Sequence, residues 1–380
     1  MIKRGVAPKY VEADGVLVLN QKCIRDHKIN YDLARQTDSL VKPVPTERFI
    51  RLGDVLVNST GVGTLGRVAQ VRSIPIVDTT VDTHVTIVRP IAGLFDLDFF
   101  GYMLIAIEQE IADSGQGASG QTELSRKDLV ENFYVSYPNS IDEQKRIVSI
   151  LDQAFEGLDR ARANAEANLE SNLELLASTI TRETNTRWDA RFCKPLGDIC
   201  DLYQGLAINK KTKHLLVDKS SNPLLRIKDL RDGSEELYVD ESGYPPNAKV
   251  DVNDIIYTRT GQIGLVFSGR RGVLHNNCFK VVPRAGIVRE YLFWALQGHT
   301  FKKKIIDLAS RAAQPDITHK LFKVQELAFP SVDEQRAAAE KITEVKGMVD
   351  RLHEKYRQQK HGAIQLRQSL LQKAFSGELT

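Results

Sequence analysis

Hydrophobic residues follow two spacings that divide the chain into segments of two kinds. Short runs rich in β-branched residues, broken by Gly, Pro and Asn, predict strands. They are Val16–Leu19, Val55–Val57, Val85–Val88, Ile255–Tyr257 and Phe279–Val282. Stretches around Leu97–Ala112 and Glu290–Leu308 have helical spacing instead. This mixture predicts compact α+β domains.

Two longer segments carry apolar residues at alternating four- and three-residue steps, the spacing of a coiled-coil seam. The second segment has Ala338, Ile342, Val345, Val349, Leu352, Tyr356, Gln359, Ala363, Leu366 and Leu370. The first has Ile147, Leu151, Ala154 and Leu158, then drifts, as at a stutter, through Ala165, Leu169, Leu173, Leu176 and Ile180. Each helix follows a proline, Pro138 or Pro330, and opens with an acidic first turn.

The sequence repeats itself. Asp54–Gly61 matches Asp254–Gly261 at an offset of 200, and Ile141–Arg146 matches Val332–Arg336 at an offset of 191. A weaker match, between Gly120–Ser125 and Ala313–Thr318, lies between these anchors in both copies. The repeat predicts a globular domain at 1–139, a helix at 140–186, a second globular domain at 187–330 and a second helix at 331–380.

Each predicted helix is about 60 Å long, too long to bury its apolar stripe on one small domain. Two separate dimerisation helices are one solution. Pairing within the chain is favoured, because the repeat supplies two similar stripes joined by one domain. We therefore expect an α+β protein with two similar globular domains separated by two long helices, which form an intramolecular antiparallel coiled coil.

Composition narrows the class of protein only slightly. The 380 residues are 42% hydrophobic and 27% charged, with a net charge of +3. The four cysteines form no CxxC pair, which argues against structural zinc and favours a reducing cytoplasm. The amino terminus lacks the apolar core of a signal peptide, and no apolar run is long enough to predict a transmembrane helix.

Two motifs that suggest enzymes are weak on inspection. Gly61–Gly66 matches GxGxxG, but strand-like residues follow where a dinucleotide site needs a helix. Asp316 with Glu344 and Lys346 fits a loose metal-nuclease pattern, yet Glu344 and Lys346 flank the seam residue Val345. The histidines show no zinc-protease spacing, and there is no P-loop and no base-methylation motif.

The order of these segments resembles the specificity subunit of type I restriction-modification systems. The closest similarity is in the helical parts: Asp142–Gln144, Asp333–Gln335 and the closing stretch Gln368–Leu379. Leu196–Cys200 followed by Gly205 resembles the usual opening of a target-recognition domain in that family. Gly5 is the counterpart of Gly205, so the opening segment has no first copy here.

The resemblance implies a non-catalytic, sequence-specific reader of double-stranded DNA. Each globular domain would read one half of a bipartite target, and the coiled coil would set the spacer. Methylation subunits (two are expected) and restriction-translocation subunits would be the partners, with no membrane association. S-adenosylmethionine, ATP and Mg would bind only to those subunits, and this chain would bind no cofactor or metal.

DNA contacts are expected from polar side chains on equivalent loops of the two domains. The loops after the Asp54 and Asp254 strands, the segments Asn20–Lys22 and Arg226–Lys228, and two later segments around Gln121 and Gln314 form such pairs. The candidates are Lys22, Thr60, Arg67, Gln121, Arg226, Lys228, Arg259, Thr260, Arg270, Arg271 and Gln314.

Two other functions remain open on the sequence. One is a self-contained metal-dependent enzyme acting on nucleic acid. The other is a coiled-coil assembly protein whose globular ends bind protein partners.

Overall fold

The computed structural model describes residues 1–114, 123–310 and 315–378. The chain divides into two compact units. Unit 1 comprises Met1–Ala165 and Gln358–Thr380, and unit 2 comprises Glu166–Arg357. Both long helices contribute to both units, because each helix runs past a boundary between them.

Unit 1 contains ten strands and three short α-helices in the described residues. The strands are β1 (Ile2–Arg4), β2 (Tyr10–Val11), β3 (Val16–Leu19), β4 (Ile24–Arg25), β5 (Lys28–Ile29), β6 (Arg35–Thr37), β7 (Val55–Asn58), β8 (Val68–Gln70), β9 (Thr79–Val81) and β10 (Val85–Val88). The helices are α1 (Leu97–Ala106), α2 (Glu108–Ser114) and α3 (Arg126–Glu131), followed by the long α4 (Ile141–Thr181).

Unit 2 begins within α4 and has eleven described strands. These are β11 (Cys193–Pro195), β12 (Cys200–Gln204), β13 (Leu216–Val217), β14 (Leu224–Leu225), β15 (Tyr238–Val239), β16 (Lys249–Val250), β17 (Ile255–Thr258), β18 (Val266–Phe267), β19 (Gly272–Leu274), β20 (Cys278–Pro283) and β21 (Glu326–Ala328). Its helices are α5 (Leu196–Ile199), α6 (Ile227–Asp232), α7 (Arg289–Ala295), α8 (His299–Ala309) and α9 (His319–Lys323), followed by the long α10 (Val332–Ser376).

The central sheets of the two units have the same order, which confirms the repeat. Unit 1 has β1-β10-β7-β8 and unit 2 has β12-β20-β17-β18, with antiparallel neighbours throughout. In unit 1, Arg4 lies opposite Thr86, and in unit 2 Gln204 lies opposite Phe279. Register therefore makes Arg4 and Gln204 equivalent, and it places β1 at the same position as the second half of β12.

A second sheet in each unit contains a parallel pair, β3 with β9 and β14 with β19. Leu19 lies opposite Val81, and Leu225 lies opposite Leu274. This register agrees with the alignment of Asn20–Lys22 on Arg226–Lys228.

The central strand β7 explains the apolar runs in the sequence. Val55 and Val57 pack with Phe99 of α1, whereas Leu56 packs with Leu19 and Ile24 on the opposite face of the sheet. Because both faces are covered, the strand shows no alternation of polar and apolar residues.

The repeated aspartate shapes a turn. The Asp54 carboxylate accepts a hydrogen bond from the backbone N–H of Arg51, and Asp254 accepts one from Asp251, both at 2.7 Å. Gly5 and Gly205 are needed for a different reason: a Cβ would lie 2.0 Å from the Val81 carbonyl oxygen in one unit and 2.3 Å from that of His275 in the other. These repeated residues are structural.

The long helices pair within each unit in the antiparallel sense. In unit 1, Leu151 and Phe155 near the start of α4 share an apolar cluster with Leu371 and Ala374 near the end of α10. In unit 2 the ends are exchanged, because Ile180 of α4 packs with residues near the start of α10, namely Ala338, Ala339 and Ile342. The predicted coiled coil is therefore confirmed.

Part of the predicted seam is wrong. Leu173 and Leu366 are 51% and 50% exposed, and Gln359 is also exposed. Near the end of α10 the contact face includes Arg367, whose guanidinium carbon lies 4.2 Å from the centre of the Phe155 ring. Arg367 also donates to Asp159 at 3.1 Å. The long arginine side chain covers apolar surface that the pattern had assigned to leucine.

Candidate nucleic-acid interface

Two predicted segments of unit 1 lie side by side. Asn20 follows β3 and caps a short 3-10 helix, accepting a hydrogen bond from the backbone N–H of Lys22. The Asn58 side chain, at the end of β7, donates to the backbone carbonyl of Gln21 at 3.2 Å. Lys22 is exposed and Thr60 lies in the loop that follows Asn58, so the lysine and the threonine are held in neighbouring segments.

The same two segments meet in unit 2. α6 begins after Arg226, and the Arg231 side chain on this helix donates to Gln262 in the β17–β18 loop at 3.0 Å. Lys228 and Thr260 therefore occupy positions equivalent to Lys22 and Thr60.

A third segment joins each site through an isolated β-bridge. Thr60 bridges to Glu123 and Thr260 bridges to Asp316, both antiparallel. Backbone bonds reinforce each bridge: Leu124 donates to Ser59 at 2.8 Å, and Ile317 donates to Arg259 at 3.0 Å.

The threonine hydroxyls differ between the sites. Thr60 Oγ1 lies 2.6 Å from Nδ1 of the exposed His84. The Thr260 hydroxyl is buried and has no hydrogen-bond partner within residues 1–114, 123–310 and 315–378. Asn277 stands where unit 1 has His84, and its carbonyl accepts from the Arg259 and Thr260 amides at 2.9 and 3.4 Å.

The cations of α6 are paired with acids. Arg226 donates to Asp229 at 2.7 and 2.8 Å and to Glu236 at 2.7 Å. Lys228 also pairs with Glu236, and these two cations hold the pKa of the Glu236 carboxyl below its usual value. Burial alone would raise the pKa of Asp229, but hydrogen bonds from Arg226 outweigh it and the pKa is lowered.

Arg259 is also occupied. It binds the Asp316 carboxylate through Nε at 2.8 Å and through Nη2, and Nη1 donates to Gln204 at 3.0 Å. Its side chain is 20% exposed. A base contact by Arg259 would first require this pair to open.

The remaining candidates are dispersed. Arg67 donates to the Gly63 carbonyl at 2.8 Å within the β7–β8 loop. Arg270 lies against the end of α6, 3.4 Å from the Ser234 carbonyl. Arg271 pairs with Asp251 at 3.1 Å, in the turn before β17, whereas Thr260 follows the other end of that strand. Gln121 and Gln314 lie outside the described residues.

Sequence reasoning did not identify the acidic partners of the cations at these sites, and it considered Asp316 only as part of a metal-nuclease pattern. Glu123, Asp316 and Glu236 each pair with a cation of the interface, and His84 contacts Thr60. The signal for Glu123 and Asp316 was present, because they are equivalent members of the weakest repeat match.

The two enzyme-like motifs have structural roles. Gly61, Gly63 and Gly66 have positive φ in the loop between β7 and β8, so the prediction of a turn is confirmed. Glu344 and Lys346 lie on α10, and Lys346 pairs with Asp350 one turn later at 2.5 Å. The described part of the chain contains no group of three or more His, Cys, Asp or Glu side chains that could hold a metal.

A bilayer-spanning helix is likewise absent from residues 1–114, 123–310 and 315–378, where no helix is both long and apolar enough.

Solved structures share this fold. A chain from a study of complex assembly and conformational transition of the type I R-M system superposes with a TM-score of 0.76 at 17% identity, over 98% of this chain and 94% of that one. The HsdS subunit from Thermoanaerobacter tengcongensis gives a TM-score of 0.59 at 17% identity, over 99% and 94%.

Sequence comparison gives the family. The MjaIX specificity subunit of a type I restriction enzyme from Methanocaldococcus jannaschii is 27% identical over 86 residues, which are 22% of this chain and only 20% of that protein's length. The family model for the type I restriction modification DNA specificity domain matches residues 38–170 and 193–359, one stretch for each copy of the repeat. The chain belongs to the type I restriction-modification DNA specificity family.

Proposed function

We propose that this chain is the DNA-recognition subunit of a type I restriction-modification complex and has no catalytic activity of its own. Unit 1 and unit 2 would each read one half of a bipartite duplex target. The coiled coil would set the length of the unread spacer.

One observation carries the proposal. The same three backbone segments meet in both units, but different side chains stand at equivalent positions. Val62 and His84 in unit 1 correspond to Gln262 and Asn277 in unit 2, whereas Lys22 and Lys228 are alike. A common scaffold with different groups on its loops is the arrangement expected when two different half-sites are read by base contacts.

Not all the candidate residues would act alike. The exposed Lys22 and the paired Lys228 would contact phosphate, and the loops carrying Thr60 and Thr260 would face base edges. Arg67 and Arg270 would support these loops through the carbonyl contacts described above. The proposal gives Arg226 a structural role, because it is held by Asp229 on α6 and by Glu236 in the loop that follows this helix.

The partners follow from the proposed function. Two methylation subunits would bring S-adenosylmethionine and the methylating site, and restriction-translocation subunits would bring the ATP and Mg chemistry. The complex would act in the cytoplasm. The likeness to a chain from a type I R-M assembly supports this proposal.

The experiment changes the spacer alone. One heptad is inserted in each long helix, and the methylated motif of the cell is read by methylome sequencing. Seven helical residues add about 10 Å, or about three base pairs. The gap should widen while both half-sites stay the same. Altered half-sites, or an unchanged gap, would refute the role of the coiled coil.

A matched control inserts the heptad in only one of the helices. Because the two helices pair, a single insertion disrupts their register, and methylation should fall without a new regular gap. If deleting the wild-type gene removes no motif from the methylome, the proposed function is wrong.

A further inference from the structure

An arginine–carboxylate pair holds the same β-bridge in both units, but the arginine comes from β1 in unit 1 and from the loop directly after β17 in unit 2. In unit 1, Arg4 of β1 pairs with Glu123 and also donates to the Leu124 carbonyl at 2.5 Å. In unit 2, Arg259 pairs with Asp316.

The registers show that the arginine has changed position. Arg4 is equivalent to Gln204, and Arg259 is equivalent to Ser59. Glu123 and Asp316 occupy one position, because they bridge to Thr60 and Thr260 respectively. In each unit, therefore, an arginine pairs with this carboxylate. It stands at the Arg4/Gln204 position in unit 1 and at the Ser59/Arg259 position in unit 2.

The neighbouring residues fit this exchange. In unit 1, Ser59 is fully buried and its hydroxyl lies 2.5 Å from that of Thr86, a space too small for an arginine. In unit 2, Gln204 accepts from Arg259 at 3.0 Å and donates to the Asn276 carbonyl at 2.7 Å. The side chain at position 204 thus already lies against the guanidinium.

We propose that Arg259 is a positioning residue of the unit 2 reader, acting through Asp316, and that it does not contact DNA. Its role is to fix the Thr260–Asp316 bridge and so hold the β17–β18 loop in its reading geometry. If the ion pair is needed to position the loop, it should be kept even when its arginine stands at a different position, as it does in these two units. A base-reading arginine would have no reason to be kept on the same carboxylate in two units that read different half-sites.

This inference rests on the proposed function, and its test moves the arginine. The full-length gene is replaced at its own locus by R259S, by R259S/Q204R, or by R284S as a control, and base methylation is read across the genome. Arg284 pairs with Asp201 at 2.7 Å on a different surface of unit 2. Circular dichroism and tryptophan fluorescence of the purified chains check the fold.

R259S should lower the methylated fraction of target sites about tenfold, the scale of one lost base contact, with the motif unchanged. R259S/Q204R, which copies the unit 1 arrangement, should recover to within about twofold of wild type. R284S should methylate normally.

Other results would overturn the assignment. If R259S relaxes one base of the motif and R259S/Q204R does not restore it, Arg259 reads that base. If R259S methylates normally, the pair does not position the loop. A wild-type strain without a two-part motif would instead refute the proposed function and this inference with it.

A second variant keeps the test valid if R259S/Q204R does not fold. Removing the carboxylate with D316N should reproduce the R259S defect, and R259S/D316N should be no worse than either single change. If the fold-reduction in methylation of R259S/D316N is the product of the fold-reductions of the two single variants, Arg259 and Asp316 act independently and the proposal is overturned.

Discussion

Gln335 Oε1 accepts a hydrogen bond from the backbone amide of Val288 at 2.8 Å, joining the start of α10 to the loop before α7. The same side chain donates to the carbonyls of Pro330 at 2.8 Å and Gly286 at 3.3 Å. In unit 1, Gln144 makes the equivalent bonds to Asp96, Pro138 and Leu94. The glutamine of the repeated Asp-Glu-Gln sequence is therefore a buried tether between each long helix and its globular part.

Replacing Gln335 by alanine should destabilise unit 2 by about 2–4 kcal/mol, because an amide and two carbonyls lose their buried partner. Both tryptophans, Trp188 and Trp294, lie in unit 2. Urea unfolding followed by tryptophan fluorescence therefore reports this unit. Gln359→Ala, at an exposed position of α10, is the control and should change the unfolding free energy little. Equal effects of the two changes would contradict the tether.

Glu183, just after the end of α4, is a second tether at the same end of the helix pair in unit 2, because it binds Lys341 near the start of α10. Its carboxylate, 1% exposed, binds Lys341 at 2.8 Å, Arg187 at 2.9 Å and Arg182 at 3.0 Å. Burial alone would raise the pKa of Glu183, but hydrogen bonds from the three cations outweigh it and hold the pKa below its usual value of 4.5. The charged form is therefore the one that stabilises the fold.

Glu183→Gln should cost about 2–3 kcal/mol at pH 7, since three cations lose a buried partner. Because the folded pKa is lowered, this contribution is present above about pH 4.5 and is lost as pH falls through the folded value. The stability difference between wild type and Glu183→Gln should then shrink in acid. Unfolding by urea at several pH values measures it, with the exposed Glu340→Gln as control. A difference that does not depend on pH would be inconsistent with the ion cluster.

The four cysteines differ in environment, so their reactivity should differ. Cys23, Cys200 and Cys278 are buried, and burial raises the pKa of all three thiols, to about 12 for Cys200 and Cys278. Cys193 is exposed. Since the thiolate is the reactive form, iodoacetamide at pH 8 should modify only Cys193 in the folded chain. Peptide mass spectrometry measures this, and Cys193→Ser should abolish labelling. Rapid modification of Cys200 would show that its site opens.

Much of the fold could be predicted because it repeats. The strands around Val55–Val57 and Ile255–Tyr257 and both long helices are found where their patterns place them. Which residues of α10 contact α4 after Ala363 could not be predicted, because a heptad pattern favours Leu366 over Arg367. The structure packs the half-buried Arg367 against Phe155 and Asp159. Side-chain length and a distant acid decide this position, and neither appears in local periodicity.

The sequence predicted which segments of the chain form the two sites, but not which side chains pair with one another there. Aligning Lys22 with Lys228, and Thr60 with Thr260, identified segments that the structure brings together. The partner of Arg259 lies 57 residues away in sequence, and the equivalent pair in unit 1 uses residues 119 apart. An arginine in a loop suggests a contact with DNA until its carboxylate is located. The sequence alone could not separate the two roles.

Phosphate contacts provide the last prediction, which compares two equivalent lysines. Lys22 is exposed and has no ion-pair partner among the described residues, whereas Lys228 already pairs with Glu236. Each phosphate contact contributes about 0.9 to the slope of log K against log salt concentration. Lys22→Gln should therefore reduce the magnitude of this negative slope by about 0.9 and weaken binding to all duplexes to a similar extent. Lys228→Gln should have a smaller effect, because binding phosphate there competes with Glu236. Titration of the assembled complex against its target duplex at 50–200 mM salt measures the slopes, and the exposed Lys42→Gln is the control. If Lys22→Gln leaves the slope unchanged, or changes the preferred bases, Lys22 does not bind phosphate.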